Sequence, residues 1–66
     1  MLRITESEET RGKSGLVARR LKNGKFAVQE FTSPVEETQE VFMDADEINR
    51  LKAWCRARSY IIEESS

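Results

Sequence analysis

Two runs of β-compatible residues, separated by a short polar segment, stand out in the first half of the chain. Residues 16–21 and 26–32 are rich in apolar and branched side chains, and the sequence Lys-Asn-Gly-Lys joins them. The central pair, Asn23 and Gly24, favours a type I′ turn because both residues tolerate a positive φ. The pattern therefore predicts a β-hairpin whose loop consists of these two residues.

A two-residue loop would also determine which residues of the hairpin lie opposite each other. Arg19 would face Val28, and Leu21 would face Phe26. The face expected to point to the core then carries Val17, Leu21, Phe26 and Val28. The other face carries Leu16, Ala18, Arg20, Lys22, Lys25, Ala27, Gln29 and Phe31.

Further elements flank this hairpin. Residues 1–14 are polar apart from an alternation at Leu2 and Ile4 that suits a short edge strand, and a loop is expected around Pro34. Residues 38–43 resemble a third strand. Asp44, followed three residues later by Glu47, forms an acidic capping box, which predicts a helix beginning at Ala45.

The predicted helix is amphipathic. Its apolar stripe consists of Ala45, Ile48, Leu51 and Cys55, and Trp54 lies at the flank. Trp54 is expected to contact the core or a second subunit, or else to stack on a base or anchor a partner. Residues 60–62 could continue the helix, return to the sheet or meet a second subunit.

These elements predict one α+β domain. Residues 15–62 would form a small antiparallel sheet, made of the hairpin and one or two further strands, followed by a C-terminal amphipathic helix. Residues 63–66 are expected to be a disordered tail. With 66 residues, of which 38% are apolar, the chain has room for one core.

Composition excludes several classes of site. Cys55 is the only cysteine and there is no histidine, so an internal disulfide is impossible and a zinc site is unsupported. A homodimer is then the remaining route to extra stability for so small a chain. No motif indicates catalysis or a cofactor, and we expect no enzyme activity. Because no signal peptide or membrane-spanning run is present, a cytoplasmic protein without a membrane partner is expected.

Charge is segregated along the chain although the net charge is only -1. Residues 11–25 carry six bases and no acid, residues 26–49 carry seven acids and no base, and residues 50–58 carry four bases and no acid. Such blocks can balance one another across the domain or face a partner.

The basic residues around the Asn23-Gly24 turn are the best candidates for a binding site. Arg20, Lys22 and Lys25 would share one face of the hairpin with Gln29 and Phe31. Cations that can neutralise phosphates would then lie beside an aromatic ring on which a base can stack. This combination is typical of surfaces that bind single-stranded nucleic acid. Lysines beside an Asn-Gly turn can instead serve solubility and protect an edge.

Two segments resemble the single-stranded-DNA-binding transcriptional coactivators typified by positive cofactor four. They are residues 16–31, LVARRLKNGKFAVQEF, and residues 41–52, VFMDADEINRLK. The resemblance implies a curved antiparallel sheet followed by one helix, helix pairing between two subunits, and backbone contacts from Arg20, Lys22 and Lys25. The chain departs from the family at Gln39 and Glu40, where the family usually has a basic residue and a glycine.

Two functional hypotheses follow. The first is a small, dimeric, non-catalytic regulator that binds single-stranded nucleic acid through the basic hairpin face. The alternative is a protein-interaction module, such as a regulator or inhibitor that docks onto a larger macromolecular machine through its charge blocks and an edge strand.

Overall fold

One helix and five strands follow one another in the residues that the structure, a computed structural model, describes, namely 1–32 and 38–65. The strands are β1 (Leu2–Thr5), β2 (Ser14–Arg20), β3 (Phe26–Thr32), β4 (Val41–Met43) and β5 (Ile61–Glu64), and the helix α1 (Ala45–Ala57) precedes β5. They form an antiparallel sheet in the order β4-β3-β2-β1-β5. The predicted α+β class, a sheet followed by a helix, is confirmed. The loop predicted around Pro34 lies outside the described residues.

The turn between β2 and β3 has three residues rather than the predicted two. The backbone N–H of Leu21 donates to the carbonyl of Lys25 at 2.8 Å, and Gly24 N–H donates to the carbonyl of Leu21 at 3.2 Å. Gly24 alone takes the left-handed conformation in this turn, with φ of 84°, while Asn23 Oδ1 accepts from Lys25 N–H at 3.0 Å. This is the geometry of a three-residue hairpin loop with glycine at its last position.

The extra loop residue shifts the hairpin register by one, so the predicted register is wrong. Arg20 pairs with Phe26, and Ala18 pairs with Val28. A shift of one residue moves every side chain of one strand to the opposite face relative to its partner. The face that packs on the helix therefore carries Leu16, Ala18, Arg20, Phe26, Val28 and Glu30.

Strand β1 lies inside the sheet, between β2 and β5, and not at the predicted edge. Its apolar residues Leu2 and Ile4 are both buried, because two neighbouring strands and the helix surround them. Of the three possibilities for residues 60–62, the chain returns to the sheet. Glu63 and Glu64 belong to β5, where a disordered tail was predicted, because pairing with β1 supplies their backbone partners.

Helix α1 begins at Ala45, as predicted, and its capping box is present. Asp44 Oδ1 accepts from Glu47 N–H at 2.8 Å, and Glu47 Oε1 accepts from Asp44 N–H at 3.2 Å. Ile48 and Cys55 are buried against the sheet. Burial raises the pKa of the Cys55 thiol, consistent with its interpretation as a small core hydrophobe.

The path of α1 decides which part of the sheet remains uncovered. The helix carries the chain from β4 at one edge of the sheet to β5 at the other, and it crosses only one face on the way. The core consequently lies between α1 and that face, and its buried members are Leu2, Ile4, Ala18, Val28, Ile48 and Cys55. In the part of the chain that is described, no helix is both long and apolar enough to cross a membrane.

Gly15 marks a point of close approach between β1 and β2. A Cβ atom at this position would lie 2.3 Å from the carbonyl oxygen of Ile4 and 2.9 Å from Thr5 Cγ2. Because a backbone atom in the middle of a sheet cannot move aside, we expect Gly15→Ala to lower the free energy of unfolding by about 1–3 kcal/mol. Urea denaturation measures this change. The neighbouring Ser14→Ala is the control, and equal stability of the two variants would contradict the close approach.

The Lys52–Glu64 ion pair joins α1 to β5 and makes a pH-dependent contribution to stability. The hydrogen bond from Lys52 Nζ lowers the pKa of the Glu64 carboxyl. Stability from a carboxyl with a lowered pKa is present above its unfolded value, about 4.3, and is lost as the pH falls through the folded value. We expect the difference in melting temperature between the parent and Glu64→Gln to shrink below about pH 4. Glu9→Gln, which alters an exposed carboxylate, is the control. If its difference in melting temperature from the parent shrank below about pH 4 in the same way, the Lys52–Glu64 ion pair would not be the cause.

Candidate nucleic-acid interface

The sheet face turned away from α1 is the candidate interface, and we call it the open face. Strand registers place the following residues on it: Arg3, Val17, Arg19, Ala27, Gln29, Phe31, Phe42, Ile61 and Glu63. No helix or strand within residues 1–32 and 38–65 packs over this face. Its chemistry is mixed, with arginine and phenylalanine side chains beside small apolar ones.

Phe31 is held in a stack at one end of the open face. It pairs with Gly15 across the hairpin, and its Cε1 atom would lie 3.0 Å from a Cβ at that glycine. The missing side chain of Gly15 therefore lets the ring lie against the backbone. Above the ring, the guanidinium carbon of Arg3 is 5.1 Å from the ring centroid, which is the distance of a cation–π contact. The stack presents an arginine to the outside.

Phe42 and Arg19 lie nearer the other end of the open face. Phe42, on the short edge strand β4, is 59% exposed. Arg19 Nη2 forms an ion pair with Glu40 Oε1 at 3.3 Å, and both side chains are substantially exposed. Because exposed ion pairs contribute little free energy, a phosphate could replace the Glu40 carboxylate.

Gln29 is already engaged within the molecule. Its Nε2 donates to the carbonyl of Thr38 at 2.8 Å, and the Thr38 hydroxyl donates to the carbonyl of Glu30 at 2.8 Å. These bonds attach the segment before β4 to β3. The amide of Gln29 consequently has a structural partner, and its remaining hydrogen-bonding capacity is reduced.

The five residues predicted from the sequence do not share one face. Gln29 and Phe31 lie on the open face, whereas Arg20 lies on the helix side with its guanidinium carbon 5.6 Å from the Phe26 ring centroid. Lys22 and Lys25 are exposed at the hairpin tip. The structure therefore separates Arg20 from the aromatic ring beside which the sequence placed it.

Three open-face residues on which the candidate interface depends, Arg3, Arg19 and Phe42, were not among the predicted site residues. Arg19 follows from the hairpin alone once its loop has three residues, since the alternation then exchanges Arg20 for Arg19. Phe42 stands in the predicted third strand, but its face depends on pairing with β3. Arg3 carries no local signal, because its neighbour Phe31 is 28 positions away in the chain.

Among the described residues of the open face, Arg19 and Glu63 are neutralised by ion pairs, and the local charge is positive at Arg3. Glu63 is bound by Arg11, whose Nη2 and Nε atoms lie 3.0 and 3.1 Å from its two carboxylate oxygens. Arg3 has no ion pair among the residues that are described. Within the same residues, no group of three histidine, cysteine or acidic side chains could hold a metal ion.

Comparison of the chain with protein-family models, with curated proteins and with solved structures finds no match. The geometry of the surfaces is therefore the basis on which function is inferred.

Proposed function

We propose that this protein is a small, non-catalytic regulator that binds single-stranded nucleic acid on the open face. The observation that carries the proposal is the uncovered sheet face on which Arg3 stacks on Phe31, while Arg19 and Phe42 lie on either side of Ala27. The proposal keeps the ligand class expected from the sequence. It moves the binding surface from the hairpin side with Arg20 to the face with Arg19.

The physical basis is base stacking combined with neutralisation of phosphates. Aromatic rings on a sheet, and the planes of arginine side chains, accept unstacked bases, with about 1–3 kcal/mol per base for an aromatic contact. Phe42 is exposed enough to accept a base directly, and the Arg3 guanidinium over Phe31 offers a second plane. Double-stranded bases are already stacked on each other, so this surface favours single strands.

The hairpin tip extends the proposed surface. Lys22 and Lys25 are exposed there and can meet phosphates beyond the end of the sheet. The net charge of -1 implies that binding is moderate and depends on these local cations. A role in transcription regulation, implied by the resemblance of residues 16–31 and 41–52 to the coactivator family, is part of the proposal, as is the cytoplasmic location expected from the sequence.

Adjacent arginines on opposite faces provide the sharpest test. We expect Arg19→Ala to weaken binding of a labelled oligothymidine and to reduce the slope of log K against log salt by roughly 0.7, the value for one lost phosphate contact on a single strand. Arg20→Ala is the matched control and should leave the slope unchanged. Fluorescence anisotropy at several salt concentrations measures both. Loss of affinity only in Arg20→Ala would contradict the open face and favour the two-residue loop register.

A second pair of variants tests stacking. Phe42→Ala should cost about 1–3 kcal/mol of binding free energy because one base loses its aromatic partner. Val41→Ala is the control, since Val41 is also exposed on β4 but lies on the other face. Both residues are more than half exposed, so neither change should unfold the domain. Equal affinities of the two variants would show that Phe42 is not a stacking residue.

A protein-interaction module is the second candidate function, and the β4 edge favours it. This strand pairs only with β3 in the described sheet, and its Val41 and Phe42 side chains are exposed. A partner strand, including one from a second copy in the expected homodimer, could pair with that edge. Absorbance ratio and mass spectrometry of the protein purified without nuclease separate the candidates, because a stoichiometric protein without nucleic acid would favour the module.

A further inference from the structure

A cleft at the end of the sheet opposite the hairpin tip has chemistry unlike that of the open face. It has a volume of about 350 Å³ and lies between the sheet and the second half of α1. The lining residues that matter here are Thr5, Glu6, Glu30, Trp54 and Tyr60. Among the described residues, no lysine or arginine lines the cleft. We call it the aromatic cleft.

We infer that the aromatic cleft binds a lysine or arginine side chain of a protein partner. Phe31 lines both this cleft and the open face, but the chemistry of the cleft selects a cation, whereas the open face selects phosphate and bases. Three features of the cleft support this assignment, namely its aromatic pair, its carboxylates and the apolar part of its lining.

The aromatic pair consists of Trp54 and Tyr60. Their ring centroids are 5.8 Å apart and their planes meet at 73°, so one ring stands edge-on to the other. Trp54 is 50% exposed even though it lies beside the apolar stripe of α1. An exposed indole held in place by a second ring is a preferred contact for an organic cation.

The molecule itself places a guanidinium on this indole. The guanidinium carbon of Arg58 lies 3.5 Å from the Trp54 ring centroid, and Arg58 Nη1 donates to the Trp54 carbonyl at 3.1 Å. Arg58 is not among the residues that line the aromatic cleft, so its guanidinium leaves the cleft open. The contact shows that the geometry around Trp54 accommodates a planar cation.

Two carboxylates give the cleft its charge preference. Glu6 and Glu30 line it, and neither carboxylate forms an ion pair within residues 1–32 and 38–65. Two unneutralised acids repel phosphate and attract a cation. Charge complementarity therefore selects a basic partner group for this cleft.

The apolar part of the lining favours a side chain over a small inorganic ion. Ile4, Leu16 and Leu51 lie in the same cleft as the two carboxylates. Lysine and arginine combine a long aliphatic stem with a charged end, and they place the stem on apolar surface while the charge meets polar groups. The cleft offers both kinds of surface to one such side chain.

Trp54 is the only tryptophan in the chain, so its intrinsic fluorescence reports directly on the cleft. The probe is the capped pentapeptide Gly-Gly-Arg-Gly-Gly, and the matched probe replaces arginine by citrulline, which has the same shape without the charge. We expect a saturable change with the arginine peptide and at least about tenfold weaker binding of the citrulline peptide. Equal responses to both peptides, or no response to the arginine peptide at about 10 mM, would overturn the inference.

Substitutions of the two cleft carboxylates test whether the arginine peptide binds in the aromatic cleft. Glu30→Gln and Glu6→Gln should each weaken binding of the arginine peptide by about threefold or more. Glu9→Gln, which alters an exposed acid outside the cleft, is the control. These residues are exposed, and a melting curve for each variant verifies that the fold is retained. Unchanged affinity in both cleft variants would overturn the assignment.

Two further measurements distinguish the aromatic cleft from the open face and from a site for small ammonium ions. Arg19→Ala should leave peptide affinity unchanged while it weakens nucleic-acid binding, so that failure of one proposal does not decide the other. Tetramethylammonium chloride is titrated as a free cation under the same conditions. Tighter binding of tetramethylammonium than of the arginine peptide would overturn the side-chain assignment in favour of a small ammonium ligand.

Discussion

The backbone geometry of the β2–β3 turn is the constraint on which the surfaces of this molecule depend. Gly24 takes a positive φ, and the loop closes with the Leu21–Lys25 backbone hydrogen bond. This closure pairs Arg20 with Phe26 and thereby assigns alternate residues of both strands to opposite faces. Whether Arg19 or Arg20 accompanies Phe31 is decided at this turn, which Arg20 directly precedes and from which Phe31 is six residues away.

Helix α1 then determines which of the two faces remains uncovered. It packs Ile48 and Cys55 on one face and carries the chain to the far edge, where β5 pairs with β1. In a domain with one layer of helix and one layer of sheet, the second sheet face has nothing to cover it. Its exposed Phe42 and its Arg3–Phe31 stack are consequences of that architecture as well as candidates for binding.

The segregated charges of the sequence reappear as two surfaces with opposite preferences. Arginines on the open face and lysines at the hairpin tip suit phosphate, whereas Glu6 and Glu30 beside Trp54 suit a cation. Both surfaces combine charge with an aromatic ring, which adds dispersion and quadrupole attraction to a screened Coulomb interaction. On these proposals, a nearly neutral protein offers different charge preferences to a nucleic acid and to a basic protein segment, and Phe31 lines both surfaces.

The sequence by itself determined the features that depend on close neighbours in the chain. The helix start at Ala45 follows from Asp44 and Glu47, which lie within one turn of it, and the hairpin follows from Asn23 and Gly24. The α+β class follows from the order of these local signals.

Only the tertiary structure decided the register of the hairpin, the interior position of β1 and the return of β5 to the sheet. Strand pairing between distant segments has no local code, because backbone hydrogen bonds are alike in every register and core packing selects among them. The contact between Arg3 and Phe31 is of this kind, and no pattern of neighbouring residues predicts it.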